Sequence, residues 1–292
     1  MKDYNSGYNI YICGISKNCI ENIEENLRFL EDFSKNTTYS SKIIIVDSDS
    51  NDGTKDVIEK YRNKDNFIIN ELDGLEEIYT NRIDRILVSR NKCLEIISDI
   101  NNQNKIIYIP IDLDLDLFKY VTVEKINQLI EYCINKNVPF GIFPFSTPYY
   151  YDIFALRAEN WVNYNSQLKV QKLKKIIVIG SFFLNYFFIF RHQMNVKKFK
   201  KANYYITSAF GGMGIYNLNS SMVEKYYEAS KKNPKFVSEH VLFNLNFSIE
   251  IIHHWNVPAP AEHLEYKLLN AKNKIIYFLR TFYFDIVNKN KY

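Results

Sequence analysis

Short apolar runs that alternate with segments of helical periodicity constrain the fold of this chain more than any other feature. The apolar runs cover residues 8–15, 42–46, 67–72, 105–111 and 139–143, and the helical spacing covers residues 18–33, 54–61, 82–100 and 123–136. Such runs are typical of strands buried on both faces, and strands that alternate with helices form parallel sheets. The sequence therefore predicts an α/β fold with a mostly parallel central sheet, helices on both faces, and ligands at the carboxyl ends of the strands.

Composition narrows the class of protein. With 47% hydrophobic and 24% charged residues, a chain of 292 residues can build a large core. A net charge of +4 is too small to indicate a nucleic-acid partner. The four cysteines lack metal-ligand spacing and the first seven residues lack an apolar signal core, so we expect a reduced, cytoplasmic compartment.

The first candidate site follows the second apolar run, where residues 46–54 read VDSDSNDGT. The strand ends in a turn rich in acids and hydroxyls, and Gly53 permits a close approach to the next helix. A carboxylate here could accept hydrogen bonds from a nucleobase or from ribose hydroxyls. The alternative is an ordinary turn, because Asp, Ser, Asn and Gly all favour turns.

The second candidate site follows the fourth apolar run, where Asp112, Asp114 and Asp116 alternate with leucines. In an extended chain these three side chains lie on one face and can converge. Converging carboxylates repel one another unless a cation lies between them, and hard oxygen ligands suit Mg²⁺ or Mn²⁺. The sequence therefore predicts a metal site, against the alternative of an exposed acidic strand end.

Together these motifs resemble the GT-A glycosyltransferases. Residues 47–54 resemble the donor-binding turn of that family, residues 89–92 (SRNK) resemble its A-R-N signature, and Asp112–Leu113–Asp114 resembles its metal-binding D-x-D. Arg85, five residues before Arg90, strengthens a likeness to fungal capsule-associated mannosyltransferases and related bacterial and viral enzymes. The resemblance implies Mn²⁺ or Mg²⁺ bound to the donor diphosphate, and the following donor-binding residues: Asp47, Asp49, Ser50, Arg85, Arg90, Asn91 and Asp112.

Later segments resemble the acceptor side of these enzymes. They are residues 150–157, with Tyr151 and Asp152, and residues 209–216, with Gly211 and Gly212. Residues 238–244 resemble the acid-bearing segment that follows. An inverting transferase needs one carboxylate to take the proton of the acceptor hydroxyl, and we expect Glu239, or else Asp152, in this role. His240 could complete the metal site; the other candidates for that position are His253, His254 and His263.

The organisation that follows is one glycosyltransferase domain over residues 1–265 and a helical tail over residues 266–292. The donor half covers about residues 1–118 and the acceptor half residues 119–265, with an apolar insertion flanked by basic residues at 172–201. Within the insertion, residues 176–190 are apolar except for Ser181 and Asn185. At 15 residues this run is short for a membrane span. Peripheral contact with anionic headgroups is one interpretation, and a buried helix or a hairpin of two strands is an equally good one.

The expected function is therefore transfer of a sugar from a UDP- or GDP-sugar to a hydroxyl of a glycan or lipid-linked acceptor. The first alternative is a nucleotidyltransferase that makes nucleotide-sugars, which would carry a glycine-rich phosphate loop; residues 8–20 hold only Gly14. An aspartyl phosphatase also uses a D-x-D after a strand, but at the start of the chain. A non-catalytic carbohydrate- or membrane-binding module is the alternative outside the enzymes.

Overall fold

A mixed seven-stranded sheet organises the protein in a computed structural model that describes residues 7–101, 105–136, 139–174, 180–219, 227, 237–264 and 271–287. The strand order is β3-β2-β1-β4-β8-β5-β9, and all neighbouring pairs are parallel except those made by β8. The predicted α/β class with a mostly parallel sheet is confirmed. In chain order the strands are β1 Asn9–Ser16, β2 Ser40–Asp47, β3 Phe67–Glu71, β4 Lys105–Asp112, β5 Phe140–Thr147, β6 Arg157–Ala158, β7 Ile206–Ser208, β8 Ile215–Asn219 and β9 Ser248–Pro258.

Helices cover both faces of the sheet. They are α1 Ile23–Asn36, α2 Thr54–Glu59, α3 Leu75–Ile78, α4 Arg82–Ile100, α5 Val123–Ile134, α6 Ser166–Lys174, α7 Ser181–Phe188, α8 Val196–Phe199, α9 Glu239–Asn244 and α10 Ala271–Val287, with short 3₁₀ helices at Phe190–His192 and Ala261–Leu264. Side-chain caps fix several starts: the Asn81 carboxamide accepts from the N–H of Ile83 before α4. Strands β6 and β7 form a separate antiparallel pair.

Alternation along the strands divides the core into two layers. In β1, Ile10 and Ile12 face a layer with α1, α2 and α5, whereas Tyr11 and Cys13 face a layer with α4 and the acceptor half. These central strands are buried on both faces, and each fully buried Ile contributes about 1.5–3 kcal/mol relative to an exposed one. The continuous apolar runs in the sequence have this physical origin.

The antiparallel strand β8 lies between β4 and β5 and brings a glycine-containing loop to the carboxyl edge of the sheet. Strand β5 ends at Thr147 on that edge. Strand β8 is antiparallel to β5 and begins at Ile215, which pairs with Ile142, so the residues just before Ile215 lie towards that edge. Residues 148–214 therefore leave the sheet and return to it at the edge where β1, β2 and β4 end.

The apolar insertion is helical where the structure describes it. Residues 175–179 lie outside the described residues; α7 and the following 3₁₀ helix occupy Ser181–Phe188 and Phe190–His192. A hairpin of two strands over residues 180–192 is therefore wrong. Among the described residues, none of the helices combines the length and apolar character needed to cross a bilayer.

Candidate functional site

A cavity of about 1050 Å³ opens at the carboxyl edge of the sheet, where the motifs of the two halves meet. Ligands of open α/β sheets bind at this edge. One wall comes from the ends of β1, β2 and β4 with the first turns of α4, and the other comes from the acceptor half and the insertion. Its polar and charged lining includes Ser16, Lys17, Asn18, Ser48, Glu76, Arg82, Arg85, Asp112, Asp114, Tyr151, Asp152, Lys174, Asn185, Glu239, His240 and His263.

The acidic turn after β2 is built on Asp47. This carboxylate is fully buried and accepts hydrogen bonds from the Oγ atoms of Ser16 at 2.8 Å and Ser50 at 2.6 Å. The Ser50 Oγ in turn accepts from the N–H of Asn18 at 2.8 Å. Asp47 and Ser50 therefore tie the loop after β1 to the turn after β2, and the residue of this turn that lines the cavity is Ser48.

Asp49 makes a second tie within the donor half. Its residue has a φ of 58°, a left-handed backbone conformation that Asp tolerates. Its carboxylate accepts from the N–H of Gly74 at 2.5 Å and from the N–H of Glu76 at 2.9 Å, at the start of α3. The predicted donor-binding residues Asp47, Asp49 and Ser50 therefore lie outside the cavity lining and contact the loops that form it.

Helix α4 carries three predicted donor-binding residues, of which Arg85 and Asn91 have different surroundings. Arg85 lines the cavity, and its Nη1 donates to the carbonyl oxygen of Tyr79 at 2.8 Å. Asn91 exchanges two hydrogen bonds with the backbone of Tyr227, at 2.7 and 3.0 Å, and so fastens that residue to the helix. Arg85 is the one of these two that a ligand in the cavity could reach.

Arg90 lies fully buried between the two halves of the site. Its Nη1 donates to the carbonyl oxygen of Ile111 at 3.1 Å, and its Nη2 donates to the Asp112 carboxylate. Its Nε lies 4.0 Å from Oε1 of Glu239, and its guanidinium stacks over the ring of Phe210 at 5.0 Å. Because an isolated buried charge is very unfavourable, Arg90 and the two acids stabilise one another.

The three alternating aspartates do not share one face, because the chain turns after Asp112 rather than continuing as a strand. Asp112 and Asp114 line the cavity. Asp116 lies outside the cavity lining, with its carboxylate 3.5 Å from Nζ of Lys119. The expected extended conformation of residues 112–116 is therefore wrong, and the two acids of the D-x-D reach the cavity by a turn.

Two asparagines of α1 hold that turn in place. The side-chain amide of Asn26 donates to the carbonyl oxygens of Leu113 at 3.2 Å and Leu115 at 2.8 Å, and that of Asn22 donates to the carbonyl of Asp114 at 2.7 Å. Asn26 is almost fully buried on the apolar side of α1. Sequence reasoning missed both residues, although a buried amide among apolar positions is a recognisable signal, since such a group must find partners.

Gly211 and Gly212 connect the D-x-D to the acceptor half. The carbonyl of Gly212 accepts from the N–H of Asp112 at 2.8 Å, and the N–H of Gly211 donates to the Asp152 carboxylate at 2.9 Å. Both glycines have positive φ values, 78° and 88°, which other residues adopt at a cost. The ring of Tyr151 stacks on that of His263 at 5.2 Å and closes this side of the cavity.

Three carboxyl groups that line the cavity, one buried and two half-buried, have shifted pKa values. Burial raises the pKa of Asp112 to about 7, with Arg90 opposing the shift and Asp114 and Glu239 reinforcing it. Burial also raises the pKa of Glu239, against the opposing effect of Arg90, and that of Asp152, against the N–H groups of Gly211 and Ala155. Carboxyl groups with raised pKa values are suited to proton transfer near neutral pH.

Glu239 and Asp152 differ in how their oxygens are used. Both oxygens of Asp152 accept from backbone N–H groups, of Ala155 at 3.1 Å and of Gly211 at 2.9 Å. Glu239 begins the short helix α9; its Oε2 accepts from the Oγ of Ser238 at 3.3 Å, and its Oε1 lies 3.3 Å from Nε2 of His240. Glu239 is thus the more available base of the two, whereas Asp152 is engaged in holding the glycine loop.

His240 is packed as a neutral core side chain. Its ring stacks on Phe210 with centroids 3.6 Å apart, and burial lowers its pKa well below the ordinary value. His253 and His254 line a separate cavity of about 220 Å³ near Tyr132, whereas His263 lines the main cavity. Over the described ranges, no group of three or more His, Cys, Asp or Glu side chains is arranged to hold a metal ion without a ligand.

The cavity also contains cations that the motifs did not indicate. Lys17, at the end of β1, pairs with Glu76, and Arg82 begins α4 one turn before Arg85. Lys174 reaches the cavity from α6. In the sequence, Lys17 and Arg82 differ from other cations only in their position, directly after a strand or at the start of a helix. Lysine and arginine are common at such positions in any protein, so sequence reasoning did not single them out.

The chain matches no protein-family model, and it matches no curated protein. Among solved structures, Staphylococcus aureus TarS 1–349 in complex with UDP is similar over 97% of this chain and 66% of that chain, with 13% identity and a TM-score of 0.44. Glucosyl-3-phosphoglycerate synthase from Mycobacterium tuberculosis in complex with UDP is similar over 98% of this chain and 81% of that chain, with 11% identity and a TM-score of 0.45. This chain therefore spans about two thirds of the TarS chain, and at these TM-scores neither likeness carries an argument about activity.

Proposed function

We propose that the protein is a metal-dependent GT-A glycosyltransferase, which moves a sugar from a UDP- or GDP-sugar to a hydroxyl of a glycan or lipid-linked acceptor with inversion. One observation carries the proposal. One cavity is lined by the two acids of a D-x-D, by cations directly after β1 and in the first turn of α4, and by a buried carboxyl group on the opposite wall. This combination suits a substrate with a diphosphate at one end and a nucleophilic hydroxyl at the other.

The residues fit a divalent cation that arrives with the diphosphate. Asp112 and Asp114 both line the cavity, and the Asp114 carboxylate makes no hydrogen bond or ion pair to another described side chain. Mg²⁺ is commonly held by one or two carboxylates together with substrate phosphates, so a cluster of three protein ligands is not needed. When bound, Mn²⁺ or Mg²⁺ would neutralise charge on the leaving diphosphate.

The side chains divide the remaining work. Lys17, Arg82 and Arg85 would bind diphosphate oxygens and stabilise the charge that grows there as the bond to the anomeric carbon breaks. Glu239 would take the proton of the acceptor hydroxyl while the hydroxyl oxygen forms its bond to the anomeric carbon. Asp47, Asp49 and Ser50 would act as positioning residues that hold the wall next to the nucleoside. The likeness to capsule-associated mannosyltransferases stays a prediction.

Calorimetric titration of UDP and GDP, with and without Mn²⁺, tests the proposal. We expect one of the nucleotides to bind more tightly with metal, and Asp114→Asn to weaken that binding roughly tenfold or more, because it removes a ligand facing the cavity. Asp116→Asn is the matched variant from the same turn, and it should bind within about twofold of the wild type because its partner is Lys119. Equal losses in both variants, or no nucleotide binding at all, would contradict the proposal.

Turnover is tested separately with Glu239→Gln. This variant should bind the nucleotide and metal as the wild type does, yet release at least about a hundredfold less UDP or GDP from the nucleotide-sugar when an acceptor is present. If Glu239→Gln keeps full activity, then Asp152 or another group removes the proton. A nucleotidyltransferase would instead consume a nucleoside triphosphate and a sugar phosphate and release pyrophosphate.

A further inference from the structure

Helix α7 has two faces with different surroundings. Asn185, and Ile189 directly after the helix, line the large cavity. On the opposite side, Phe183 is 51% exposed and Phe187 is 47% exposed. Residues four apart lie on the same side of a helix, and about half a turn separates the two pairs. The wall of the candidate active site and an exposed aromatic surface are therefore two sides of one helix.

Helix α10 extends the exposed surface. It packs on α7 through Phe278, whose ring centroid lies 5.2 Å from that of Phe182 and 5.5 Å from that of Phe183. About a quarter turn from Phe278 on this helix, Ile275, Leu279 and Tyr283 are more than half exposed, at 61%, 54% and 69%. We call the exposed residues Phe183, Phe187, Ile275, Leu279 and Tyr283 the α7–α10 surface. Large apolar side chains grouped in this way usually mark an interaction site.

The chain segments that contain α6 to α8 and α10 are rich in cations and poor in acids. Between Asn160 and Val223 the chain contains no Asp or Glu, whereas nine Lys and Arg residues lie between Asn160 and Lys201: Lys169, Lys172, Lys174, Lys175, Arg191, Lys197, Lys198, Lys200 and Lys201. Arg191 lies over the ring of Phe187 at 5.4 Å. Helix α10 adds Lys272, Lys274 and Arg280 against Asp285 alone. An apolar surface that Arg191 borders, within segments of net positive charge, complements a surface that is apolar inside and anionic at its boundary.

We propose that the α7–α10 surface binds an anionic lipid bilayer, and that the protein takes its acceptor from that bilayer. The aromatic and aliphatic side chains enter the headgroup region while the surrounding lysines and arginines bind anionic headgroups. Since α7 also forms a wall of the cavity, docking places one side of the cavity at the lipid surface. The acceptor class that fits is a lipid-linked hydroxyl compound; this second part rests on the proposed function, and the docking itself does not.

Vesicle flotation tests the docking. The wild-type chain should float with vesicles that contain phosphatidylglycerol and remain largely unbound with pure phosphatidylcholine. Phe183→Ser/Phe187→Ser should lower the bound fraction roughly tenfold, because it removes apolar burial at the centre of the surface. Tyr120→Ser is the matched control, because Tyr120 is an exposed aromatic in the loop after β4, and this variant should float like the wild type.

A charge variant and a donor-binding measurement complete the experiment. Lys172→Glu/Lys272→Glu should reduce flotation with phosphatidylglycerol, since both lysines are exposed at the ends of α6 and α10. Each variant is also titrated with UDP or GDP and Mn²⁺. Unchanged nucleotide binding with lost flotation supports the docking, and flotation without any nucleotide binding supports the docking while overturning the proposed function.

Two results would overturn the docking. One is equal flotation of the wild type and Phe183→Ser/Phe187→Ser. The other is a wild-type dimer by sedimentation that the double variant converts to a monomer, without vesicle binding by either, because the surface would then bind a second copy of the chain.

Discussion

The buried guanidinium of Arg90 is expected to be the most sensitive single charge in the donor half. We consider Arg90→Met, which keeps an unbranched side chain of related size and removes the charge. The substitution breaks the hydrogen bonds to the Ile111 carbonyl and to Asp112, and removes the cation that lies 4.0 Å from Glu239. Glu239, which is buried, and Asp112, which is half-buried, then remain without their shared counter-charge.

The magnitude follows from the burial of the group. Arg90 is fully buried, so water does not screen its interactions, and removing one partner of a buried ion pair typically costs about 3–5 kcal/mol. Domains are stable by roughly 5–15 kcal/mol, so the variant should lose between about a fifth and all of its stability. The deficit should be larger at pH 8 than at pH 5, because Asp112 and Glu239 are then more fully ionised and lack the cation that favoured their charged forms.

Urea unfolding followed by tryptophan fluorescence measures this free energy, since both tryptophans, Trp161 and Trp255, are buried. The double variant Arg90→Met/Asp112→Asn completes a thermodynamic cycle, and it should recover about 1–2 kcal/mol because the uncompensated carboxylate is gone. A deficit below about 1 kcal/mol, or no coupling between the two positions, would refute the view that Arg90 stabilises these acids.

Three further predictions concern other parts of the chain. Burial raises the pKa of Glu239, so its proton stabilises the folded state at low pH, and this stabilisation is lost as the pH rises above the pKa of about 4.3 in the unfolded chain. The unfolding free energy of Glu239→Gln minus that of the wild type should therefore increase from acidic to neutral pH. A difference that stays constant with pH would contradict the raised pKa. Gly212→Ala should lower the free energy of unfolding by about 2–4 kcal/mol, because φ is 88° and a Cβ would collide with the side chain of Leu115. Gly74→Ala has a similar φ of 79° but open space around the Cβ, and should lower it by only about 1–2 kcal/mol. Urea unfolding of both variants measures the difference that the collision makes. Burial raises the pKa of Cys19 and of Cys133 to about 12, so a disulfide reagent at pH 8 should label these thiols in the native protein far more slowly than in urea.

The regular elements of the donor half were predictable because each satisfies a local rule. Helix α4 runs from Arg82 to Ile100, the predicted bounds, because Asn81 caps its start and one face of the helix is apolar. Strand β4 coincides with a run of apolar residues that is buried on both faces. Such a run can be identified as a strand without knowing which strands pair with it. The position of Asp112 and Asp114 at the carboxyl edge was predictable for the same reason, since Asp112 ends that strand and Asp114 lies two residues beyond it.

The contacts between distant segments were not predictable from one sequence. Alternation at Asp112, Asp114 and Asp116 indicated an extended chain, but the amides of Asn22 and Asn26 stabilise a turn there. The turn at Asp47 and Asp49 indicated direct contact with a donor, which stays a prediction; the structure adds that Ser16 and Ser50 donate to Asp47 and that the N–H of Gly74 donates to Asp49. Each of these outcomes depends on which group satisfies a buried polar atom, and that depends on the tertiary structure.

The path of residues 148–214 has a consequence for how such a chain can diversify. This stretch leaves β5 and approaches β8 from the same edge of the sheet, so the residues between Thr147 and the loop at Gly211 and Gly212 can change in length and composition without changing the strand order. Under the proposed function, insertion, deletion or exchange of these residues would change the acceptor side of the cavity, while Asp112 and Asp114 keep their strand and turn. Chimaeras joined after Thr147 and before Gly211 would then exchange the acceptor side and keep the donor side.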